Sequence, residues 1–266
     1  MLAGSVAVKK TALAVLKGRW PLGAAAVGIP MALVLIMLNL FALIEYMLAK
    51  TVWLAAAYVL LLLCAFTVLF PLMLGTLRVL WGIATDSEVS VSDTFFYLSS
   101  KEKYLKAMNF IVVLCGSVIA KAIALFSPAI IVYLASELLP SVITNHDARL
   151  WLDNLWIFTL FLSIIALCGT VYVILRYYLA PFLFICSAAD DAVDTVMLAK
   201  SVSRVSLGHF VSLLFGLLGW ILLSVFFVPL IFTAPYILTC YLFHSRFATV
   251  FYNASVKKYK SEGGAI

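Results

Sequence analysis

The sequence predicts an all-α, polytopic membrane protein whose six transmembrane helices form three hairpins, each preceded by a short cytoplasmic helix. Composition, the length of the uncharged runs and the placement of the basic residues all predict this fold. Of the 266 residues, 65% are hydrophobic and 11% are charged, whereas a soluble domain is about half apolar and about a quarter charged. We therefore expect a single integral membrane domain over residues 1–266.

Uncharged stretches define the six spans, because a helix needs roughly 20 apolar residues to cross a hydrocarbon core about 30 Å thick. The predicted spans cover residues 21–44, 52–81, 107–134, 155–185, 209–228 and 235–253. Pro21 opens the first span at a position where a missing N–H costs least. Pro229 and Pro235 predict a turn at 228–235, which would make spans five and six a tight pair.

A polar segment that can form a helix precedes each odd-numbered span. These segments cover residues 7–19, 92–108 and 190–208. The first is expected to stay in the cytoplasm, because lysines interrupt the continuous apolar core that a cleavable signal peptide would need. Ser92 and Asp93 are typical of a helix start in the second segment.

The third polar segment is predicted to be a cytoplasmic docking helix. Negative charge lies near its start and positive charge toward its end, as the helix dipole favours. Its apolar residues are spread around the helix, so we expect it to pack beneath the bundle instead of floating on lipid. The predicted docking residues are Asp190, Asp191, Asp194, Lys200, Arg204 and His209.

Basic residues predict the orientation. The chain has 18 Lys and Arg residues; Lys50 and Arg149 fall on the outer side and Lys121 lies inside a span, which leaves 15 on the cytoplasmic side. This bias places both termini in the cytoplasm. The net charge of +6 is then explained by orientation and by anionic lipid headgroups, so membrane lipids are the predicted partners and nucleic acid is not.

Several short motifs resemble the DUF975 family of bacterial multi-pass integral membrane proteins. They include LKGRW before span one, FPLMLGTLRVLW in span two, YYLAPFLF in span four and SVSRVSLGHFVSLLFGLLGWILLS through span five. The likeness covers most of the chain, and the matching positions are Gly208, His209, Gly219, Trp220, Pro235, Tyr236, Phe251 and Tyr252. The resemblance implies a six-span protein of the bacterial inner membrane and assigns it no biochemical role.

Lys121 is a candidate functional charge, because it lies at the middle of predicted span three. A charge at mid-membrane costs at least about 3 kcal/mol and usually faces a partner, a cavity or a pathway. No acidic residue lies at the same depth in another predicted span. Either the side chain snorkels to the interface or is simply neutral, or it faces a cavity whose groups include carbonyls freed by Pro128, water or an anion.

Arg78, Arg176 and Arg246 form a second candidate group for binding lipid or another anion. Each lies in the cytoplasmic half of an even-numbered span, where a guanidinium can bind a headgroup phosphate through two hydrogen bonds. The alternative is structural: these arginines snorkel and pin the cytoplasmic segments through ion pairs with acidic residues that follow them, such as Asp86 and Glu88 after Arg78.

Motifs of enzymes and metal sites are missing from the sequence. It contains no HExxH, no GxSxG and no glycine-rich phosphate loop, and its histidines lack the spacing of metal ligands. We expect no catalytic residue, no metal and no cofactor. The predicted function is a non-enzymatic scaffold or accessory component of a membrane complex, with a protein partner or a second copy of the chain. The alternative is a transporter or lipid-handling protein with a polar cavity around Lys121 and the arginines.

Overall fold

The computed structural model describes residues 4–48, 53–138, 155–186 and 191–261. Lys50, Arg149 and Asp190 lie outside these residues. Contacts group the chain into two compact units: the first is Met1–Ile111 with Leu179–Ile266, and the second is Val112–Tyr178. The single domain over residues 1–266 stays a prediction.

Every regular element in the described residues is helical, as the sequence predicts. In chain order these are α1 (Ser5–Leu16), α2 (Trp20–Leu48), α3 (Trp53–Ala84), a 3₁₀ helix (Val91–Leu98), α4 (Lys101–Leu138), α5 (Leu155–Arg176), α6 (Ala180–Cys186), α7 (Ala192–Gly216), α8 (Leu218–Leu223) and α9 (Phe227–Ser261).

Within the described residues, four stretches are long and apolar enough to cross a membrane, by length and composition. They are α2, α3, α4 and the combined stretch Leu155–Cys186, and they coincide with the first four predicted spans. Between 6% and 22% of the most apolar window of each is buried inside the protein. The rest of that apolar surface is left for lipid to cover, which is the pattern of a multi-pass membrane protein.

The predicted boundaries of spans five and six are wrong. Helix α7 passes through His209 without a break and ends at Gly216, so no separate helix begins at His209. The predicted turn at 228–235 lies inside α9, and the chain reverses instead at 224–226. Pro229 does not stop α9 because it lies in the first turn, where the N–H has no partner within the helix. Pro235 lies inside α9 and is packed against α2.

Residues 235–253 also lie close to the end of α3 and the beginning of α2. A Cβ placed on Gly23, four residues after Arg19, would lie 3.3 Å from the Cβ of Pro235. The guanidinium carbon of Arg246 is 5.7 Å from the ring centroid of Trp81, which lies in the last turn of α3. Two positions 11 residues apart on α9 thus pack near the same end of the α2–α3 pair.

Helix α9 is the central element of the first unit and packs against α1, α2, α3, α7 and α8. It runs antiparallel to α7 and α8: the Phe210 ring lies 5.6 Å from the His244 ring, and the Trp220 ring lies 4.9 Å from the Tyr236 ring. The hydroxyls of Ser224 and Thr233 are 2.6 Å apart and join the turn to α9.

Glycines on α3 let the segment after it fold back against the helix. A Cβ on Gly75 would lie 1.9 Å from the carbonyl oxygen of Thr94, and one on Gly82 would lie 2.2 Å from a methyl carbon of Val89. The two glycines are seven residues apart and share a face of α3. The predicted helix at 92–108 is accordingly divided between the 3₁₀ helix and the first turns of α4.

Replacing Gly75 with alanine is expected to destabilise the protein by about 1–3 kcal/mol, the usual range for extra volume in a packed core. The added Cβ would clash with the backbone of Thr94, which cannot rotate away. Gly28→Ala is the matched control, since a Cβ there meets no atom within 4 Å and alanine is the better helix former. Thermal unfolding in one detergent compares them; equal melting temperatures would contradict this packing.

Candidate functional site

A polar cavity of about 310 Å³ lies in the first unit, between the end of α3 and the 3₁₀ helix. We call it the Arg78 cavity; its polar and aromatic lining is Arg78, Trp81, Thr85, Ser87, Glu88 and Asp93. Close packing of Val89 on Gly82 brings the chain after α3 back over that helix and closes one wall. Its size is at the lower end of the range for small-molecule sites.

Arg78 lines the cavity and contacts the Phe96 ring. Its guanidinium carbon lies 3.8 Å from the ring centroid of Phe96, and the ammonium of Lys103 lies 4.0 Å from the same centroid. Burial raises the pKa of the neighbouring Tyr97 phenol above its ordinary value, and the charge and hydrogen bonding of Arg78 oppose that rise. Stacking on Phe96 occupies a face of the guanidinium, while its N–H groups project from the edge.

Two carboxylates, those of Glu88 and Asp93, also line the cavity. Oδ2 of Asp93 accepts a hydrogen bond of 2.8 Å from the Ser90 backbone N–H and caps the 3₁₀ helix. Glu88 is exposed, and within the described ranges its carboxylate makes no ion pair or hydrogen bond. Within the same ranges, no carboxylate lies within 4.0 Å of Arg78. The predicted ion pairs from Arg78 to Asp86 and Glu88 are therefore not present.

Asp86 pairs instead with Arg19, just before α2. Asp86 follows the end of α3 with a φ of 58°, in the left-handed region that non-glycine residues seldom adopt. Sequence reasoning missed this pair because its members are 67 residues apart and no local pattern links them. The ion pair ties the start of α2 to the end of α3.

The three predicted arginines fall into different settings. Arg78 and Arg246 both lie in the first unit. Trp81 lines the Arg78 cavity, and the guanidinium carbon of Arg246 lies 5.7 Å from the centroid of the Trp81 ring. Arg176 is the last residue of α5, in the second unit, and lies 5.9 Å from the ring of Tyr172 one turn earlier. The predicted group of three is therefore a pair of arginines in one unit and a single arginine in the other.

Lys121 has an aromatic partner in the second unit. Its ammonium donates a hydrogen bond to the hydroxyl of Tyr177 and lies 4.4 Å from the centroid of that ring. Tyr177 is 6% exposed. The sequence offered no acidic partner at this depth, and a search restricted to opposite charge overlooks a phenol that accepts a hydrogen bond and also presents its ring face to a cation.

The predicted docking helix corresponds to the first part of α7. Its buried face consists largely of small residues: Ala192, Thr195, Val196, Ala199, Val202, Ser203 and Ser206. Asp191 is the N-cap, and its side chain accepts a hydrogen bond of 3.1 Å from the Val193 N–H. Asp194, Lys200, Arg204 and His209 are exposed. Small residues add little to a hydrophobicity pattern, so the large apolar residues alone do not reveal the buried face of the helix.

His209 and His244 lie in different environments. His244 is buried beside Phe210, whereas His209 is exposed. In the part of the chain that the structure describes, no group of three His, Cys, Asp or Glu residues is placed to hold a metal ion.

A double-mutant cycle on Lys121→Leu and Tyr177→Phe is expected to give a coupling free energy of about 0.5–2 kcal/mol, as for polar contacts inside membrane proteins. The cause is the shared hydrogen bond and cation–ring contact. Thermal or denaturant unfolding of the four proteins in one detergent measures it. The control cycle combines Lys121→Leu with Tyr172→Phe. Additive effects of Lys121→Leu and Tyr177→Phe on stability would rule out a direct interaction between Lys121 and Tyr177.

Comparison with known proteins gives no relative for this arrangement. The chain matches no protein-family model, no curated protein and no solved structure. The resemblance to the DUF975 family therefore stays a prediction, and the site is defined by its own geometry.

Proposed function

We propose that the protein is a non-enzymatic component of the bacterial inner membrane that holds a partner protein at the cytoplasmic face through α7. The observation that carries this proposal is the contrast between the two faces of α7. One face is buried against α1, α6 and α9, which holds the helix rigidly. The opposite face is exposed and mixes apolar and basic side chains.

The exposed face of α7 forms a continuous stripe. Val193, Met197, Lys200 and Arg204 follow one another at spacings of three or four residues, which places them on one side of the helix. Met197 is 63% exposed and Val193 is 41% exposed. An apolar strip beside two cations fits an acidic, amphipathic surface on a partner, since aliphatic contact supplies affinity and charge supplies orientation.

The orientation proposed for this function keeps both termini in the cytoplasm and has four crossings. Arg19, partly exposed with Asp86, marks the cytoplasmic end of the α2–α3 pair. Gly23, where Pro235 packs, is four residues further on, or about 6 Å deeper. The turn at 224–226 is nine to eleven residues from Pro235, about 14–17 Å further at 1.5 Å per residue.

This depth supports a re-entrant hairpin in place of spans five and six. The turn would reach about 20–23 Å below Arg19, short of the roughly 30 Å of a hydrocarbon core. The tip is apolar and exposed: Val225 is 78% and Phe226 is 65% exposed. Helix α8, the turn and the first residues of α9 would enter and leave from the cytoplasmic side, which still leaves an even number of crossings.

A lipid-handling role is the second candidate function, and the Arg78 cavity favours it. The cavity lies at the end of α3 that Arg19 and Asp86 mark as cytoplasmic, the level of the lipid headgroups. Lys121 does not add to it, because its contacts with Tyr177 support a structural role.

A cysteine at position 225, in a chain without its five native cysteines, is expected to resist a membrane-impermeant maleimide added to intact cells. The reason is that the tip of a re-entrant hairpin stays within the hydrocarbon. Tyr46→Cys, 87% exposed in the native chain, should label from outside, and Ser87→Cys should label only after the membrane is opened. Labelling of Val225→Cys from outside as readily as Tyr46→Cys would show that the hairpin crosses.

A photocrosslinking residue in place of Met197 is expected to give one discrete adduct with another protein in native membranes. The double variant Lys200→Glu with Arg204→Glu should reduce its yield about fivefold or more, since both cations lie on the stripe. Val250, 60% exposed on α9, is the matched control position. Adducts with lipid alone would refute the docking role, and adducts with a second copy would assign the stripe to self-association.

A further inference from the structure

We infer that the Arg78 cavity binds a zwitterion made of a phosphate ester and a primary ammonium group, the chemistry of an ethanolamine phospholipid headgroup. This inference deepens the second candidate function by naming a ligand for its site, and it does not depend on docking at α7. It rests on the separation of opposite charges within one cavity.

Charges of both signs line the cavity without neutralising one another. Arg78, Glu88 and Asp93 all line the cavity, and among the described residues no carboxylate approaches Arg78 within 4.0 Å. A few residues away, Arg19 and Asp86 close into a direct ion pair. The charges of the cavity have other contacts: Arg78 lies over the Phe96 ring, and the Ser90 N–H donates to one oxygen of Asp93. A dipolar ligand can bridge this gap with a complementary charge at each end.

The guanidinium selects the anionic end of the ligand. An arginine presents a planar fork of N–H donors that matches two oxygens of a phosphate, and the guanidinium carbon of Arg78 lies over the Phe96 ring, 3.8 Å from its centroid. The cavity lies at the end of a membrane-length helix beside Trp81, where tryptophan and arginine meet lipid headgroups. A phosphodiester is the anion that ethanolamine and choline phospholipids share.

The hydrogen-bond acceptors in the cavity select a primary ammonium. A primary ammonium carries three N–H donors, and the cavity offers the Glu88 carboxylate, the second oxygen of Asp93 and the hydroxyls of Thr85 and Ser87. A quaternary ammonium has no N–H and binds instead inside a cage of several aromatic rings. Trp81 is the one aromatic residue among those lining the cavity, so the site should discriminate against choline headgroups.

Binding to the purified full-length chain, stripped of lipid in detergent, tests this assignment. The ligands are a short-chain phosphatidylethanolamine, the phosphatidylcholine with the same acyl chains, and water-soluble glycerophosphoethanolamine. We expect the ethanolamine lipid to bind about tenfold more tightly than the choline lipid, the difference expected from one charge-assisted hydrogen bond. Equal affinity for the two lipids would overturn the inference.

Glu88→Gln isolates the ammonium contact. Because Glu88 is exposed and unpaired in the free protein, the variant should keep its melting temperature and lose most of the preference for ethanolamine. Glu102→Gln is the matched control, since Glu102 is an exposed carboxylate at the start of α4 that does not line the cavity. A preference that survives Glu88→Gln, or that Glu102→Gln abolishes equally, would overturn the inference.

Arg78→Lys tests the phosphate contact while keeping the positive charge beside Phe96. The variant should weaken the binding of both lipids by a similar factor, because both carry the same phosphodiester. The ratio of the two affinities should stay near that of the native chain. Unchanged affinity for both lipids would contradict the role of Arg78. Tighter binding of the lipid than of glycerophosphoethanolamine assigns the site to a membrane headgroup, whereas equal binding supports the same chemistry with a soluble ester as its source.

Failure of the wider lipid-handling function can be told apart from failure of this site. Vesicles that contain the protein and a fluorescent ethanolamine lipid in one leaflet report movement between leaflets. Selective binding without movement would remove lipid transfer as the function and leave the headgroup site in place. Movement without selectivity would overturn the site alone.

Discussion

The structure depends on one constraint: its long helices expose apolar surface that the protein itself does not cover. Inside hydrocarbon no water can satisfy a backbone N–H or C=O, so each crossing segment must be a helix. The same medium tolerates proline within helices, and Pro30, Pro71 and Pro128 lie inside α2, α3 and α4. Hydroxyl side chains follow the same constraint; Thr76, for example, donates to the carbonyls of Leu72 and Ala26.

Because lipid tails are as apolar as leucine, burial of apolar area does little to hold helices together in a membrane. The first unit is held instead by close approach and by polar contacts. Gly23 admits Pro235, Gly75 admits the backbone of Thr94, and Ala and Ser residues form much of the buried face of α7. The contact at Gly23 and the buried face of α7 both involve α9, whereas the contact at Gly75 joins α3 to the 3₁₀ helix.

The first four membrane-length stretches could be read from composition, since runs without charge are a property of each segment by itself. The last third could not. Prolines at 229 and 235 signal a turn in a soluble context, yet the structure has a helix there because one lies in the first turn and the other packs on α2. The site divides in the same way. Arg78 and Lys121 stand out in the sequence, whereas the pairs Arg19–Asp86 and Lys121–Tyr177 join positions 67 and 56 residues apart.

Helix α7 joins a charged half and an apolar half in one uninterrupted rod of 25 residues, about 37 Å long. A rod of this kind has no hinge between its halves, so tilting the end near Asp191 must displace the end near Gly216. Lys9 of α1 donates to the carbonyl of Gly216 at 3.3 Å, and the break that leads into α8 follows directly. A pull on the end near Asp191 would therefore displace the apolar tip at 224–226.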